Sequence, residues 1–153
     1  RKKNLLRGGS AEQISRYLNK VRFKNNKARY VVEARKLIKE VCSLLPPTRT
    51  LPHKEGGKYA REWLARNIKG IGYKEASHFL RNIGLGEEIA ILDRHILKNL
   101  KRYGAIREIP GSITPKKYFE IEKKMIAFAR TAKIPPAHLD LLFWANETGE
   151  IFK

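Results

Sequence analysis

The sequence predicts an all-α fold. Apolar residues recur at helical spacing along most of the chain, helix-capping patterns precede several of these stretches, and no run alternates polar and apolar residues over the length of a strand. With 153 residues, 42% of them apolar, the chain can form one domain or two small helical lobes around an ordinary core.

The first two helices are predicted near the N-terminus. Ser10 and Gln13 have the spacing of a capping box, so a helix is expected to begin there. A second helix is predicted from about Asn26 to Leu45, because apolar residues recur there near helical period and Pro46-Pro47 then ends the pattern.

A connection is predicted over residues 46–57, where three prolines and two glycines separate periodic segments. This composition is typical of a surface loop and of a boundary between lobes. A helix is then predicted over 58–68, with its apolar face formed by Tyr59, Trp63, Leu64 and Ile68.

Four more helices are predicted in the second half of the chain. Asp93 and Thr114 have the positions of N-caps, and Pro115 and Pro136 have positions that suit the first turn of a helix. Gly149 is expected to stop the last helix. The predicted ranges are 73–82, 94–103, 115–132 and 136–147.

The charge of the chain favours a polyanionic partner. Lys and Arg number 33 against 15 Asp and Glu, which gives a net charge of +18 spread over every segment. Lys and Arg side chains release counterions from nucleic-acid phosphates, so binding is expected to weaken as salt rises. A ribosomal or chromatin-type basic protein has the same composition.

The single cysteine, Cys42, cannot form an internal disulfide or a zinc cluster. We therefore expect an intracellular protein without a metal. We further expect a location in the prokaryotic cytoplasm, at the nucleoid, and no cofactor. No apolar run approaches the roughly 20 residues that cross a bilayer. The sequence does not begin with Met.

Residues 67–77 are expected to form a hairpin between two helices. Gly70 and Gly72 flank Ile71, so the turn can adopt backbone angles that a Cβ would penalise, and Ile71 is expected to anchor it to the core. The amides of Gly72, Tyr73 and Lys74 would then point outward at a helix N-terminus, where a phosphate binds favourably. A simple helix-helix turn is the alternative.

Lys74 and Asp93 are each expected at a helix N-terminus, where the fold can direct both side chains into one cleft. A neutral lysine amine can attack an anomeric sugar carbon, and we expect desolvation and the helix N-terminus to neutralise Lys74. A carboxylate would stabilise the positive charge that develops as a base leaves. Taken alone, Lys74 is simply a solvated lysine and Asp93 simply an N-cap.

These residues carry a family resemblance. GIGYKEASHFLRN at residues 70–82, AILDRH at 90–95 and LDLLFW at 139–144 resemble motifs of the helix-hairpin-helix DNA glycosylase superfamily, and more narrowly of its archaeal-type 8-oxoguanine DNA glycosylase/AP lyase class. The resemblance implies two helical lobes around a cleft. Members usually carry a further helical segment before the region that corresponds to Arg1, and it helps to build the base pocket.

The resemblance implies that Lys74 is the Schiff-base nucleophile and Asp93 the catalytic carboxylate. The reaction would remove 8-oxoguanine and then cleave the strand by β-elimination, without a metal. The backbone at Gly70, Gly72 and Tyr73 would contact the DNA, and hairpin carbonyls could hold a monovalent cation near the phosphate.

The resemblance also implies roles in base recognition. Trp144 would stack on the flipped base, Lys153 would distinguish 8-oxoguanine from guanine, and Arg22-Phe23 would reach into the gap left in the duplex. A tryptophan on an apolar face is otherwise a core residue, and a terminal lysine is otherwise frayed. His78 and His95 are expected in packing or phosphate contacts.

Two other functions fit parts of the pattern. A non-catalytic helix-hairpin-helix module explains the glycines and the charge but gives no reason for Lys74 and Asp93 together. A glycosylase for another lesion, such as an oxidised pyrimidine, often carries an iron-sulfur cluster, which one cysteine cannot ligate. The expected partner is double-stranded DNA containing oxidised guanine, bound by a monomer away from membranes.

Overall fold

The computed structural model describes residues 2–44, 53–86 and 88–150, and over these ranges it is helical without a strand. The predicted all-α class is therefore confirmed. The helices, in chain order, are α1 (Lys2–Gly8), α2 (Ala11–Tyr17), α3 (Lys24–Lys36), α4 (Ile38–Leu44), α5 (His53–Asn67), α6 (Tyr73–Asn82), α7 (Arg94–Arg102), α8 (Pro115–Ala132) and α9 (Pro136–Thr148).

The capping box that begins α2 is present as predicted. The Ser10 N–H donates to Gln13 Oε1 at 2.9 Å, and the Gln13 N–H donates to Ser10 Oγ at 3.2 Å. Helix α1 was not predicted. It is held by α3, because the Arg35 guanidinium donates to the carbonyls of Leu5, Leu6 and Gly9.

The prediction of one continuous helix over 26–45 is wrong. The helix is interrupted at Leu37, whose N–H donates to the carbonyls of Ala34 and Arg35 in a tight turn before α4 begins. Apolar spacing continues across this single residue, so the pattern could not reveal the break. Residues 45–52, including Pro46-Pro47, lie outside the described residues.

The predicted connection over 46–57 is shorter than expected, because α5 begins at His53. Gly57 is buried against the next connection, where an added Cβ would lie 2.4 Å from the Leu85 carbonyl oxygen. Gly57 thus permits close packing within a helix rather than forming a loop. Tyr59 was wrongly placed on the buried face, since it is 63% exposed. The lobe boundary itself stays a prediction.

The four predicted helices of the second half agree closely with α6 to α9. Thr114 caps α8, accepting a hydrogen bond from the Lys117 N–H at 3.3 Å, and Pro115 is its first residue. Helix α9 ends with Gly149 as its left-handed C-cap. No described helix is long and apolar enough to span a bilayer.

Two apolar clusters form the core. The first joins α4, α5, α6 and the connection after α6 through Val41, Ala60, Leu64, Ile68, Ala76, Leu80, Leu85 and Ile89. The second joins α7, α8 and α9 through Ala90, Leu92, Ile96, Leu97, Leu100, Ile106, Tyr118, Ile121, Met125, Ala129, Leu139 and Phe143. The stretch 89–92 passes from the first cluster to the second, and it leads directly to Asp93.

Candidate active site

The connection between α5 and α6 has the predicted hairpin form. Gly70 adopts a φ of 86°, and a Cβ there would lie 2.4 Å from the Tyr30 ring, so both conformation and space require glycine. Ile71 packs against the first apolar cluster, as predicted. Tyr73 begins α6, with its ring centroid 5.7 Å from that of Tyr118.

Gly72 differs from the prediction. Its φ of −93° and ψ of −176° are those of an extended N-cap, which any residue can adopt, so no unusual backbone angle requires glycine there. The Glu75 carboxylate lies beside Gly72, whose amide helps to lower the pKa of Glu75. Glu75 therefore lies next to an amide that the hairpin prediction assigns to a phosphate.

Lys74 and Asp93 line the same cleft, which has a volume of about 360 Å³. The other lining residues are Glu75, His78, Phe79, Asn82 and Ile91. The lining residues of α6 fall on one face of the helix, because they recur at spacings of three and four positions. The volume lies within the ordinary range for small-molecule and base-sized pockets.

Asp93 is held firmly as the N-cap of α7. Its Oδ1 accepts hydrogen bonds from the N–H of His95 at 2.8 Å and of Ile96 at 2.9 Å, so the cap prediction is confirmed. The positive end of the α7 dipole and these two donors favour the ionised carboxylate. The His95 ring accepts a hydrogen bond from Arg94 Nε at 3.2 Å.

The Lys74 side chain is 46% exposed, and its Nζ lies 3.2 Å from Glu75 Oε1. Nearly half of this side chain is therefore in contact with solvent, and its desolvation on DNA binding stays a prediction. Partial burial raises the pKa of Glu75, but hydrogen bonds from its own N–H and from Lys74, together with the Lys74 charge and the Gly72 amide, hold that pKa below its ordinary value. Lys74 and Glu75 thus form an ion pair.

The other predicted residues lie elsewhere or outside the described residues. Trp144 lies half-buried on α9 and is not among the residues that line the cleft. Phe23 is 62% exposed and has a left-handed φ of 59°, with the Arg22 guanidinium 4.6 Å from its ring centroid. An exposed aromatic on such a strained backbone is unusual. Lys153 lies outside the described residues.

The sequence did not reveal a buried polar cluster that includes Ser77 of α6, the helix that also carries Lys74. It consists of Arg61, Ser77, Tyr118 and Glu122, each at most 5% exposed. A signal existed: Arg61 adjoins the Ala60–Leu64 stripe of α5, and Glu122 lies within the apolar stripe of α8. Two opposite charges on the inner faces of different helices predict a buried ion pair.

The described residues contain no cluster of three or more His, Cys, Asp or Glu that could hold a metal ion.

Comparison with known proteins places these features in a family. The family model described as 8-oxoguanine DNA glycosylase matches residues 1–134. An 8-oxoguanine DNA glycosylase/AP lyase of Fusobacterium nucleatum is 48% identical to the chain, covering all of it and 70% of the relative. A protein of the same name from Korarchaeum cryptofilum is 41% identical over 86% of the chain and 60% of the relative.

Solved structures agree with this assignment. The 8-oxoguanine glycosylase/lyase of Methanocaldococcus jannaschii, in complex with a 15mer DNA containing 8-oxoguanine, matches with a TM-score of 0.80 and 36% identity, covering 99% of this chain and 72% of that one. The 8-oxoguanine DNA glycosylase of Thermotoga maritima matches with a TM-score of 0.81 and 35% identity, covering 99% and 71%. The chain thus spans about 60 to 72% of these relatives. It belongs to the 8-oxoguanine DNA glycosylase family and has the helix-hairpin-helix fold of that family.

Proposed function

We propose that this protein removes 8-oxoguanine from double-stranded DNA and then cleaves the strand at the abasic sugar. The observation that carries the proposal is that Lys74 and Asp93, which lie at the N-termini of two different helices, line one cleft in a chain of this family. The names of the relatives, 8-oxoguanine DNA glycosylase/AP lyase, support the same reaction.

Lys74 is the proposed nucleophile. The flipped nucleotide enters the cleft, where the duplex excludes water from the exposed side of Lys74. The neutral amine forms a bond to C1′ of the sugar, and the bond from C1′ to the base breaks with its electron pair leaving on the base. Opening of the sugar ring gives an imine, and loss of a C2′ proton then expels the 3′ phosphate.

Asp93 is the proposed electrostatic partner. Positive charge develops on the sugar as the base departs, and a carboxylate fixed by two amide hydrogen bonds needs little reorganisation to stabilise that charge. Because the same bonds favour the ionised form, Asp93 supports the reaction as an anion.

The DNA backbone is proposed to bind at the hairpin, through the amides of Gly72 and Tyr73 and the close approach that Gly70 permits. An incoming phosphate would replace the Glu75 carboxylate at Gly72 and so free Lys74 from its ion pair. Phe23, exposed beside Arg22, is suited to fill the gap left by the flipped base.

Base recognition is proposed to involve Trp144 and Lys153, as the family resemblance implies. The cleft itself offers a further aromatic surface, Phe79, which is 38% exposed. We also propose that the protein acts as a monomer in the cytoplasm, at the nucleoid.

Borohydride trapping tests the proposal. The protein is incubated with duplexes that contain 8-oxoguanine, uracil, an abasic site or no lesion, and sodium borohydride reduces any imine to a stable cross-link. We expect cross-links with the 8-oxoguanine and abasic duplexes only. Cross-links to uracil DNA would indicate a glycosylase for another lesion, and none on any duplex would leave a non-catalytic DNA-binding module.

A further inference from the structure

The Tyr118 hydroxyl belongs to the buried polar cluster of Arg61, Ser77, Tyr118 and Glu122. It donates to the Ala90 carbonyl at 2.7 Å, lies 3.3 Å from Ser77 Oγ, and accepts from the Leu92 N–H at 3.4 Å. The side chain belongs to α8 and is buried. One hydroxyl therefore touches both α6 and the stretch 89–92 that precedes Asp93.

An ion pair between Arg61 and Glu122 completes the cluster, with the Arg61 guanidinium 5.8 Å from the centroid of the Tyr118 ring. Arg61 Nη1 and Nη2 donate to the two carboxylate oxygens of Glu122 at 2.5 and 2.9 Å, and Glu122 Oε1 also accepts from the Ala90 N–H at 2.7 Å. Arg61 Nη1 lies 3.4 Å from Ser77 Oγ. The cluster thus joins α5, α6 and α8 to the backbone of Ala90.

Global stability is a poor explanation for this arrangement. Moving two charges out of water is costly, and well-packed apolar residues of similar volume often stabilise a core at least as well. Arg61 Nε is buried without a hydrogen-bond partner among the described residues, so the arrangement is not fully satisfied. The cluster does, however, fix the backbone of residues 90–92, which belongs to no helix or strand of the described chain.

The contacts of Tyr118 bear directly on the two proposed catalytic groups. Ser77 lies three residues, about one helical turn, after Lys74 on α6, and Leu92 immediately precedes Asp93. The Tyr118 ring also packs against that of Tyr73, the neighbour of Lys74. A shift of this hydroxyl would therefore move the two helix N-termini relative to each other.

We propose that the Tyr118 hydroxyl is a positioning group that fixes Lys74 relative to Asp93 for base excision. The inference rests on the proposed function of that cleft. Tyr118 does not touch the substrate; it acts through Ser77 on one side and through the backbone of residues 90–92 on the other. A displacement of about 1 Å in a reacting group can slow catalysis by on the order of 100-fold, so a small loosening is measurable.

Tyr118→Phe tests the proposal, because it keeps the ring and removes the hydroxyl. Tyr103→Phe is the matched control: Tyr103 is 52% exposed, stacks on Phe143 at 5.5 Å, and its hydroxyl has no hydrogen bond within the described residues. Three quantities are measured at 25 °C: the rate of single-turnover excision of 8-oxoguanine, the Kd for lesion DNA, and the rate of amide hydrogen exchange at His95 and Ile96. Circular dichroism verifies that each variant is folded.

We expect Tyr118→Phe to excise about 10- to 100-fold more slowly than the unmodified protein, within the range that misplacement produces. Its Kd should change less than about twofold, and the amides of His95 and Ile96 should exchange faster, since the segment bearing Asp93 is loosened. Tyr103→Phe should match the unmodified protein in all three measurements. Ser77→Ala should slow excision in the same direction without abolishing it.

Two results would overturn the positioning role. One is excision by Tyr118→Phe at the unmodified rate with a lower Tm, which is what a purely structural hydroxyl predicts. The other is a loss explained wholly by weaker DNA binding. If the unmodified protein does not excise 8-oxoguanine, the proposed function is wrong, and the positioning role is wrong with it. If the unmodified protein and Tyr118→Phe are equally active, only the positioning role is refuted.

Discussion

Asp93 has two separable tasks in this structure, since it caps α7 and it presents a carboxylate to the cleft. The side-chain oxygen of asparagine can accept the same two amide hydrogen bonds, and Asn and Asp are about equally good N-caps. Asp93→Asn is therefore expected to lose only the charge-dipole contribution, about 0.3–1 kcal/mol of the free energy of unfolding. Asp93→Ala loses the cap as well, at an additional cost of about 1 kcal/mol.

These energies separate folding from catalysis. For a domain of this size, 1 kcal/mol corresponds to a Tm shift of about 2–4 °C, so Asp93→Ala should melt a few degrees below Asp93→Asn. Both variants should excise 8-oxoguanine on the order of 100- to 1000-fold more slowly, because both lack the anion that stabilises the developing charge.

Thermal unfolding and single-turnover excision measure the two effects on the same preparations. Excision by Asp93→Asn at the rate of the unmodified protein would refute the electrostatic role of Asp93. Equal Tm values for the two variants would show instead that the cap contributes nothing.

Three further predictions follow from the same structure. Gly70→Ala should lower the free energy of unfolding by roughly 1–2 kcal/mol, because alanine is strained at a positive φ, and by a further amount because its Cβ clashes with the Tyr30 ring. The same variant should weaken DNA binding. Gly84→Ala, with φ of 83° but open space, should show only the first cost in urea unfolding; equal losses would contradict the role of the clash. Burial raises the pKa of Tyr118 to about 12, so between pH 10 and 12 the folded chain keeps a proton that the unfolded chain releases. The free energy of unfolding should therefore fall by roughly 2–3 kcal/mol as the pH rises from 10 to about 12. Tyr118→Phe should not show this fall in stability when the thermal unfolding of the variant and of the unmodified protein is compared across this pH range. Identical pH profiles for the two proteins would contradict the prediction. Because the net charge is +18, the logarithm of DNA affinity should fall linearly with the logarithm of salt concentration, and a flat dependence in fluorescence anisotropy would exclude backbone binding.

Much of the fold could be predicted because its signals are local. The capping box at Ser10, the caps at Asp93 and Thr114, and the stop at Gly149 each depend on a few adjacent residues. The failures have the opposite origin. Gly57 was assigned to a loop, but it lies within α5 and packs closely against Leu85, a contact between distant segments that no local pattern contains.

The candidate site shows the same division. The motifs singled out Lys74 and Asp93, and the fold brings both to one cleft. The contacts of Tyr118 were missed, because they form only when α6, α8 and residues 90–92 come together. The Lys74–Glu75 ion pair was missed although the two residues are adjacent, and the Arg61–Glu122 pair was missed although both charges lie among apolar residues. The sequence also could not show how much of the Lys74 side chain contacts water, which is 46% in this structure.

The identity of the cross-linked residue tests the central claim most directly. The protein is trapped with borohydride on 8-oxoguanine DNA, digested, and the adduct located by mass spectrometry, with Lys69→Gln as a control at a neighbouring hairpin lysine and Lys74→Gln as the test. We predict an adduct on Lys74, retained in Lys69→Gln and lost in Lys74→Gln. An adduct on any other lysine, or one that persists in Lys74→Gln, would contradict the account.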